Sequence, residues 1–277
     1  MINVYEQEGV TCIEGEVVKS GRKAGRIYSF LTDGMLVDTG PQILESELIP
    51  IYEDVSMDLV ILTHSHEDHT GTAAWLQEDR DLPIYIHEKG ISTCAELCAY
   101  PKYRQHTWGI REPFKALPLG DTVQSRQQDW HVIYTPGHAN DHIALFHEST
   151  GRMFTGDLYV TPKTKVIMQS ESIPVIMNSI QKLLTYEFEA IFCCHAGYIK
   201  NGKDMMKQKL NNLEHLCDEV KRLHQKGFTI AEIDQQLFPK SYPIVEISEG
   251  EWDSRHIVSS ILSDEQQNRD LIQRQGC

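Results

Sequence analysis

The sequence predicts an α/β chain with two strand-rich halves and a helical region near its carboxy-terminal end. Short strand patterns with tight turns fill the first third, similar patterns return between residues 114 and 155, and longer helical periodicities follow residue 201. Strands and helices that alternate in this way are typical of layered α/β folds. The 277 residues allow one large domain or one domain with an appendage. We therefore expect one domain at 1–200 and a helical region at 201–277.

The first half contains a hairpin and several buried strands. Residues 26–31 and 35–37 have strand composition, and the Asp33-Gly34 dipeptide between them is a typical hairpin turn. The short apolar runs at 58–63 and 83–87 indicate strands, whereas the spacing of apolar residues at 43–55 and 70–78 favours helices.

Strand patterns return in the second half, and a different pattern follows them. The expected strands there are 114–117, 121–124, 130–135, 142–147, 152–155 and 189–194, and a helix is expected at 172–186. The carboxy-terminal helices are expected at 203–226, 229–238 and 252–262. This helical region contains no cluster of histidines, so we expect no metal ligand from it.

The composition narrows the classes of partner. The formal net charge is −14, which disfavours nucleic acids and anionic membranes as partners and favours a small-molecule substrate. No apolar run reaches the length of about 18 residues that a membrane span requires. The first residues lack the basic and apolar parts of a signal peptide, and the seven cysteines are scattered. A cytoplasmic location is therefore expected. The oligomeric state stays open.

A dense group of metal-ligand residues lies directly after the apolar strand 58–63. His64, His66, Asp68 and His69 fall within six residues. Two histidines spaced by two in an extended loop can direct their rings to one point, and Asp68 with His69 can face a second point nearby. Imidazoles and carboxylates are the ligands of zinc, iron and manganese sites. The segment therefore predicts a transition-metal site.

Further ligand types follow three later strand patterns. His138 lies in a Thr-Pro-Gly-His turn, Asp157 follows Thr-Gly, and His195 follows two cysteines. Strand ends are where α/β folds build their sites, so the ordered series favours a shared metal centre.

The His-x-His-x-Asp-His segment and the three later ligands resemble the metallo-β-lactamase superfamily over about residues 10–200. The resemblance implies an αββα sandwich with two divalent transition metal ions, for which we expect zinc, with iron or manganese as alternatives. The first metal would be held by His64, His66 and His138, and the second by Asp68, His69 and His195. Asp157 would bridge the two metals.

The resemblance extends to the branch of glyoxalase II, lactonases and the lactamase beta 2 group, which carries Pro-Gly-His-x-x-Asp-His. The basic signature for glutathione and the exosite of the transfer-RNA processing members are missing. The last ligand lies in Cys194-His195-Ala196-Gly197 instead of a Gly-His-Gly setting. We interpret Cys194 as a bystander.

The resemblance implies hydrolysis of an ester, thioester, lactone or phosphodiester by a hydroxide that bridges two metals. Asp68 would hold this hydroxide or move its proton, and Tyr159 is a candidate donor to the oxyanion. Asp38, Asp141 and His142 are candidates to orient the imidazoles.

Alternative functions remain open from the sequence. They are a persulfide-dioxygenase-like oxidoreductase with one iron, a metal-dependent endoribonuclease, and a binding or sensor protein with a relic metal site. The aromatic segment 100–113 is either a lid or an ordinary connection.

Overall fold

Two β-sheets stack face to face, and helices cover the outer face of each. The structure, a computed structural model, describes residues 1–19, 21–97 and 99–275, without the side chains of Arg22 and of residues 265–275. This arrangement of helix, sheet, sheet and helix layers confirms the predicted fold class.

The first sheet has the strand order β1-β2-β3-β4-β5-β6-β7. Its strands are β1 Ile2–Gln7, β2 Val10–Lys19, β3 Arg22–Thr32, β4 Met35–Val37, β5 Leu59–Ile61, β6 Ile84–Ile86 and β7 Leu117–Pro118. The hairpin β3–β4 turns at Asp33 and Gly34, whose φ angles of 49° and 77° are those of a type I′ turn. The strands from β4 to β7 run parallel, so their carboxyl ends lie at one edge.

The second sheet has the strand order β14-β13-β11-β10-β9-β8. Its strands are β8 Thr122–Gln124, β9 Asp129–Tyr134, β10 Ile143–His147, β11 Arg152–Gly156, β13 Ile191–Cys193 and β14 Gly197–Ile199. β11 and β13 pair in parallel, so their carboxyl ends share an edge as well. A small antiparallel ribbon pairs β12 Ile167–Met168 with β15 Trp252–Asp253.

Ten α-helices are assigned within the described residues. They are α1 Glu45–Asp54, α2 Glu67–Thr70, α3 Ala73–Arg80, α4 Ile91–Ala95, α5 Lys102–Trp108, α6 Ile173–Leu184, α7 Gly202–Gln225, α8 Ile230–Leu237, α9 Pro243–Ile247 and α10 Ser254–Gln275. In this part of the chain, none of the helices has the length and apolar character that a membrane crossing requires.

Aromatic side chains fill the space between the two sheets. Phe30 of the first sheet lies with its ring centroid 5.4 Å from Phe154 and 5.5 Å from Phe192 of the second sheet. Trp130 is fully buried and lies 5.3 Å from Phe154. Tilted and edge-to-face contacts at these distances add to the free energy of apolar burial. This core fixes the two sheets, and with them the strand ends that carry the polar residues.

Each sheet is covered by outer helices that pack through an apolar face. Leu48 and Tyr52 of α1 and Leu76 of α3 cover the first sheet. The long helix α7 contributes Met206, Leu213 and other residues to the core outside the second sheet, which also contains residues of α6, α8 and α10. The carboxy-terminal helices therefore share a hydrophobic core with the second sheet.

The structure also differs from the predicted elements in detail. The segment expected as a helix at 70–78 begins regularly only at Ala73, after the short helix α2. The segment 100–113 contains the helix α5, and α9 occupies part of the stretch between α8 and α10. β1 and β14 are edge strands that the sequence patterns did not predict separately.

Candidate metal centre

The ligand-type residues meet at the edge where both sheets end. His64, His66, Asp68 and His69 follow β5, and Asp157 and His195 follow β11 and β13. His138 follows β9 in the turn to β10. Because the sheets face each other, residues from these four loops come together although up to 131 positions of sequence separate them.

Three imidazoles form the first group. The Nδ1 atom of His66 lies 3.0 Å from Nε2 of His64 and 3.1 Å from Nε2 of His138. The three ligand atoms lie within 4.8 Å of one another. Three ring nitrogens that converge in this way form a facial set that can hold one metal ion.

A second group contains Asp68, His69 and His195. The Oδ2 atom of Asp68 lies 3.6 Å from Nε2 of His69 and 3.3 Å from Nε2 of His195. Their ligand atoms also lie within 4.8 Å of one another. These residues can hold a second ion beside the first group.

Asp157 lies between the two groups. Its Oδ2 atom is 3.0 Å from Nε2 of His195, 3.5 Å from Nε2 of His69 and 3.4 Å from Nε2 of His138. One carboxylate oxygen thus faces imidazoles of both groups, as a bridging ligand requires.

Asp38 is hydrogen-bonded to residues of this arrangement and orients them. Its carboxylate accepts hydrogen bonds from the Thr63 main-chain N–H at 2.7 Å, from the Thr63 hydroxyl at 2.8 Å and from Nδ1 of His69 at 2.9 Å. With Nδ1–H directed to Asp38, the Nε2 atom of His69 is left to face the centre. The Cys194 thiol also donates to Asp38 at 3.0 Å. Burial raises the pKa of Cys194 well above its usual range, so the sulfur stays a protonated thiol.

His142 and Glu171 orient two further members of the centre. The Nδ1–H of His142 donates to the Thr135 carbonyl at 3.0 Å, and its Nε2 accepts the main-chain N–H of Asp157 at 3.0 Å. Burial lowers the pKa of His142 to about 3, in keeping with this neutral role. Glu171 lies 2.9 Å from Nδ1 of His138 and thereby turns Nε2 of that ring toward the centre.

The two groups differ in their charge state. Burial, and after it the neighbouring imidazoles, lower the pKa values of His64 and His66 well below the usual range. Burial also acts to lower the pKa of His195, but Asp157 and Asp68 outweigh it and raise that pKa. Burial acts to lower the pKa of His138 as well, but Glu171 outweighs it and raises that pKa. The first group thus consists of imidazoles, two of which stay neutral, and the second is rich in carboxylate; both are donor sets for divalent transition metals.

Two buried atoms show that these residues fit metal ions. Nε2 of His69 and Oδ1 of Asp157 have no hydrogen-bond partner among the described residues. A buried polar atom without a partner costs about 1–3 kcal/mol, and proteins rarely keep one without a reason. A cation at the point where these atoms converge would satisfy them. The side chains present are thus compatible with the divalent metal ions that the fold implies.

The centre forms one wall of a cavity of about 680 Å³. His66, Asp68, His138, Asp157 and His195 line it on the metal side. The remaining walls are mainly apolar and come from α5, from Leu158 and the segment 160–168, and from the carboxy-terminal region. This volume lies in the range of small-molecule binding sites.

The segment 100–113 contributes to this cavity through α5. Tyr103, Arg104 and Trp108 line the wall, and the Trp108 ring centroid lies 6.3 Å from that of His195. Arg104 forms a bidentate pair with Glu67, with both N–O distances at 2.7 Å, and contacts Glu251 at 3.3 Å. The segment is therefore fixed to residues 64–69, here called the metal loop, and to the carboxy-terminal region.

The structure brings together all seven predicted metal ligands but not Tyr159. The Tyr159 side chain packs in the outer core with 3% exposure, and the residue is not among those that line the cavity within the described chain. The role of its hydroxyl in catalysis stays a prediction. Asp141 lies next to the metal loop, and burial raises its pKa. Sequence reasoning missed Glu171 and Arg104, because neither lies in a motif.

Comparisons with a family model and with known proteins point to the same family. Residues 32–195 match the family model of the metallo-beta-lactamase superfamily. The probable metallo-hydrolase YqjP of Bacillus subtilis is 23% identical over 266 residues, which cover 79% of this chain and 82% of that protein. The atrochrysone carboxyl ACP thioesterase of Claviceps purpurea is 25% identical over 220 residues, which cover 75% of this chain and 64% of that protein.

Solved structures agree at the level of the fold. A beta-lactamase domain protein from Burkholderia ambifaria superposes with a TM-score of 0.71 at 17% identity. The superposition covers 95% of this chain and 89% of that protein. The metallo-beta-lactamase family protein TTHA1429 from Thermus thermophilus superposes with a TM-score of 0.68 at 18% identity over 95% and 94% of the two chains. With the family match over more than half of its length, this chain belongs to the metallo-beta-lactamase superfamily.

Proposed function

We propose that the protein is a metal-dependent hydrolase of a small-molecule ester, thioester, lactone or phosphodiester. The observation that carries this proposal is the convergence of seven ligand-type side chains, five of which line the wall of one mainly apolar cavity. Metal ligands alone would suit a storage or structural site. Ligands that open into a cavity of substrate size favour catalysis.

The two groups of ligands suit two ions, for which we propose zinc, with His64, His66 and His138 at one and Asp68, His69 and His195 at the other. Asp157 would be shared. Bound there, divalent ions would polarise the substrate oxygen as Lewis acids and bring the pKa of a water toward neutrality.

The chain's own residues would then orient the reactants and move one proton. Burial acts to raise the pKa of Asp68, but His69 and His195 outweigh it and hold that pKa below its usual range. Asp68 therefore stays a carboxylate and lines the cavity, where its oxygen can accept the proton of an attacking water. The apolar walls would exclude bulk water and strengthen these polar contacts.

The apolar cavity favours acyl compounds within the proposed class. A thioesterase among the relatives and mainly apolar walls both support an ester or thioester over a polynucleotide. The net charge of −14 also disfavours RNA. We further propose that residues 1–200 hold the metals and that residues 201–277 complete the cavity, a division suggested by the positions of the ligands.

Metal analysis and a substrate panel test the proposal together. Protein from medium without added metal should contain two zinc per chain and hydrolyse at least one class among thioesters, esters, lactones and phosphodiesters. Chelation and Asp68→Ala should each abolish the activity, whereas the exposed Asp79→Ala is a matched control that should not.

Three results would contradict the proposal. They are one iron per chain with oxygen uptake on persulfides, metal-dependent cleavage of RNA alone, and metal-loaded protein that is inert on every class. The first would indicate the dioxygenase and the second the endoribonuclease.

A further inference from the structure

A buried lysine lines the cavity beside the metal centre. Lys209 lies in α7 on the face that also carries Met206 and Leu213, and the residue is only 6% exposed. Lysine is almost never buried to this extent unless its charge is paired. We therefore ask which group in the cavity pairs with the charge of Lys209.

The ammonium group of Lys209 has little compensation from the protein. Its Nζ donates to the Tyr159 carbonyl at 2.5 Å and lies 6.0 Å from the centroid of the Tyr159 ring. Among the described residues, no carboxylate oxygen lies within the 4.0 Å of an ion pair with it. An ammonium has three N–H donors, so donors remain for another acceptor.

The carboxylates of the cavity have other partners. Asp68 and Asp157 contact Nε2 of His195 at 3.3 and 3.0 Å. Glu171 contacts Nδ1 of His138 at 2.9 Å. These contacts bind the nearby negative charges to imidazoles. Burial lowers the pKa of Lys209, and Glu171 and Asp157 partly oppose this shift from a distance. Neither carboxylate forms an ion pair with Lys209, so donors of its ammonium group are left for a ligand.

Two further lysines lie along the same cavity. Lys163 and Lys165 are exposed residues of its wall, and neither forms an ion pair in the part of the chain that the structure describes. In a protein with a net charge of −14, three lysines at one cavity indicate a local preference for anions.

The backbone beside Lys209 is strained. Val160, directly after Tyr159, has a φ angle of 48° and also lines the cavity. This left-handed conformation is rare for a β-branched residue, and such strain concentrates at ligand sites. The strain thus lies next to the carbonyl that Lys209 contacts.

We propose that Lys209 binds an anionic group of the substrate, whose apolar part rests on the walls formed by residues such as Ile167, Ile244 and Trp252. The substrate class is then an amphipathic acyl compound that carries a carboxylate or a phosphate. The anion belongs either to the acyl part or to the leaving group. This inference rests on the proposed hydrolase function and adds the recognition of charge to it.

Matched thioesters test the inference through hydrolysis. The glutaryl thioester of N-acetylcysteamine carries an acyl carboxylate, and the pentanoyl thioester is its neutral counterpart. The pentanoyl thioester of 3-mercaptopropionate places the carboxylate on the leaving group instead. One of the two anionic compounds should exceed the neutral one in kcat/KM by about tenfold or more, as a charge-assisted hydrogen bond provides.

Substitution of Lys209 should remove this preference through KM. Lys209→Met keeps the length and apolar stem but removes the ammonium group, so the ratio of kcat/KM between the preferred anionic thioester and the neutral one should fall toward one, with the change in KM. Lys207→Met is the matched control, because Lys207 is an exposed lysine of the same helix that pairs with Asp204 at 3.5 Å.

Binding of amides provides a second readout that needs no hydrolysis. The amide of glutaric acid that retains one free carboxylate, and the corresponding pentanamide, are titrated calorimetrically into the purified wild-type protein. Tighter binding of the anionic amide supports the inference even when no thioester is hydrolysed, and the hydrolase proposal would then fail alone. Equal binding of both amides together with equal hydrolysis of all three thioesters overturns the inference and leaves the hydrolase standing.

Discussion

Asp38 is the residue whose loss we expect to disturb the metal centre most without removing a proposed ligand. It is fully buried directly after β4 and has a φ angle of 58°. Its carboxylate accepts hydrogen bonds from four donors of three residues. These donors are the Thr63 N–H, the Thr63 hydroxyl, the His69 Nδ1–H and the Cys194 thiol. Asp38→Ala leaves all four without an acceptor in the core.

The size of the effect follows from these contacts. Hydrogen bonds to a charged group are each worth about 1.5–3 kcal/mol, but the values do not add for donors that share one acceptor. Loss of one partner from a buried charged contact costs about 3–5 kcal/mol. We therefore expect the free energy of unfolding to fall by about 4 kcal/mol. His69 would also lose its fixed orientation, which should weaken metal binding by about 10–100-fold.

Urea unfolding and competition with a chelator measure the two effects separately. Asp81→Ala is the matched control, because Asp81 has a similar φ angle of 51° but is exposed at the end of α3. It reports the cost of placing alanine in a left-handed conformation, which is about 1–2 kcal/mol. If Asp38→Ala matches this control in stability and keeps wild-type metal affinity, the orienting role assigned to Asp38 is wrong.

Three more predictions concern other parts of the cavity. Asp157→Ala should lower the metal content toward one ion per chain by mass spectrometry, and unchanged stoichiometry would exclude a bridging role. Arg104→Met should cost about 3–5 kcal/mol in chemical denaturation, because it leaves the buried Glu67 without its partner; a loss below 1 kcal/mol would refute this. Burial lowers the pKa of Lys209 from 10.5 to about 8, so the folded state releases this proton before the unfolded state does. Wild-type stability should therefore rise relative to Lys209→Met between about pH 8 and 10.5, by about 3 kcal/mol, and parallel pH profiles would contradict the burial of a charged amine.

The sequence predicted the metal loop because its information is local. A buried strand followed by closely spaced histidines and an aspartate indicates both the candidate ligands and the place where they lie, since strand ends meet at a sheet edge. The hairpin at Asp33-Gly34 was predictable for a similar reason, because that dipeptide accepts the positive φ angles of its turn.

Residues that act over long distances could not be predicted in this way. Glu171 contacts His138 across 33 positions, and Arg104 contacts Glu251 across 147. Neither pair has a spacing that a helix or strand would produce, so only the tertiary fold brings them together. The edge strands β1 and β14 escaped a separate prediction because half-exposed strands have weak patterns.

Lys209 is an intermediate case in which the sequence held a signal. Apolar residues of α7 recur at 206, 210, 213, 217 and 220, and position 209 lies on the same stripe. A lysine within an apolar stripe is unusual, whereas Lys207 two positions earlier lies on the charged face. The amphipathic pattern thus distinguishes the two lysines, although it does not reveal that the stripe borders a cavity.

The position of each residue in the fold separates the proposed chemistry from the proposed specificity. The candidate metal ligands follow strands of both sheets, and all of them lie inside residues 32–195, which match the family model. Much of the cavity wall comes instead from parts that hold no candidate ligand. These are α5 and the segment 160–168 inside that range, and residues of α7, α9 and β15 beyond it. Arg104 joins the two parts, because it contacts Glu67 beside the ligand Asp68 and Glu251 beside β15. Changes at the wall should therefore alter which acyl compound is accepted while leaving the metal content intact, and Arg104 is the point where such a change would reach the metal loop.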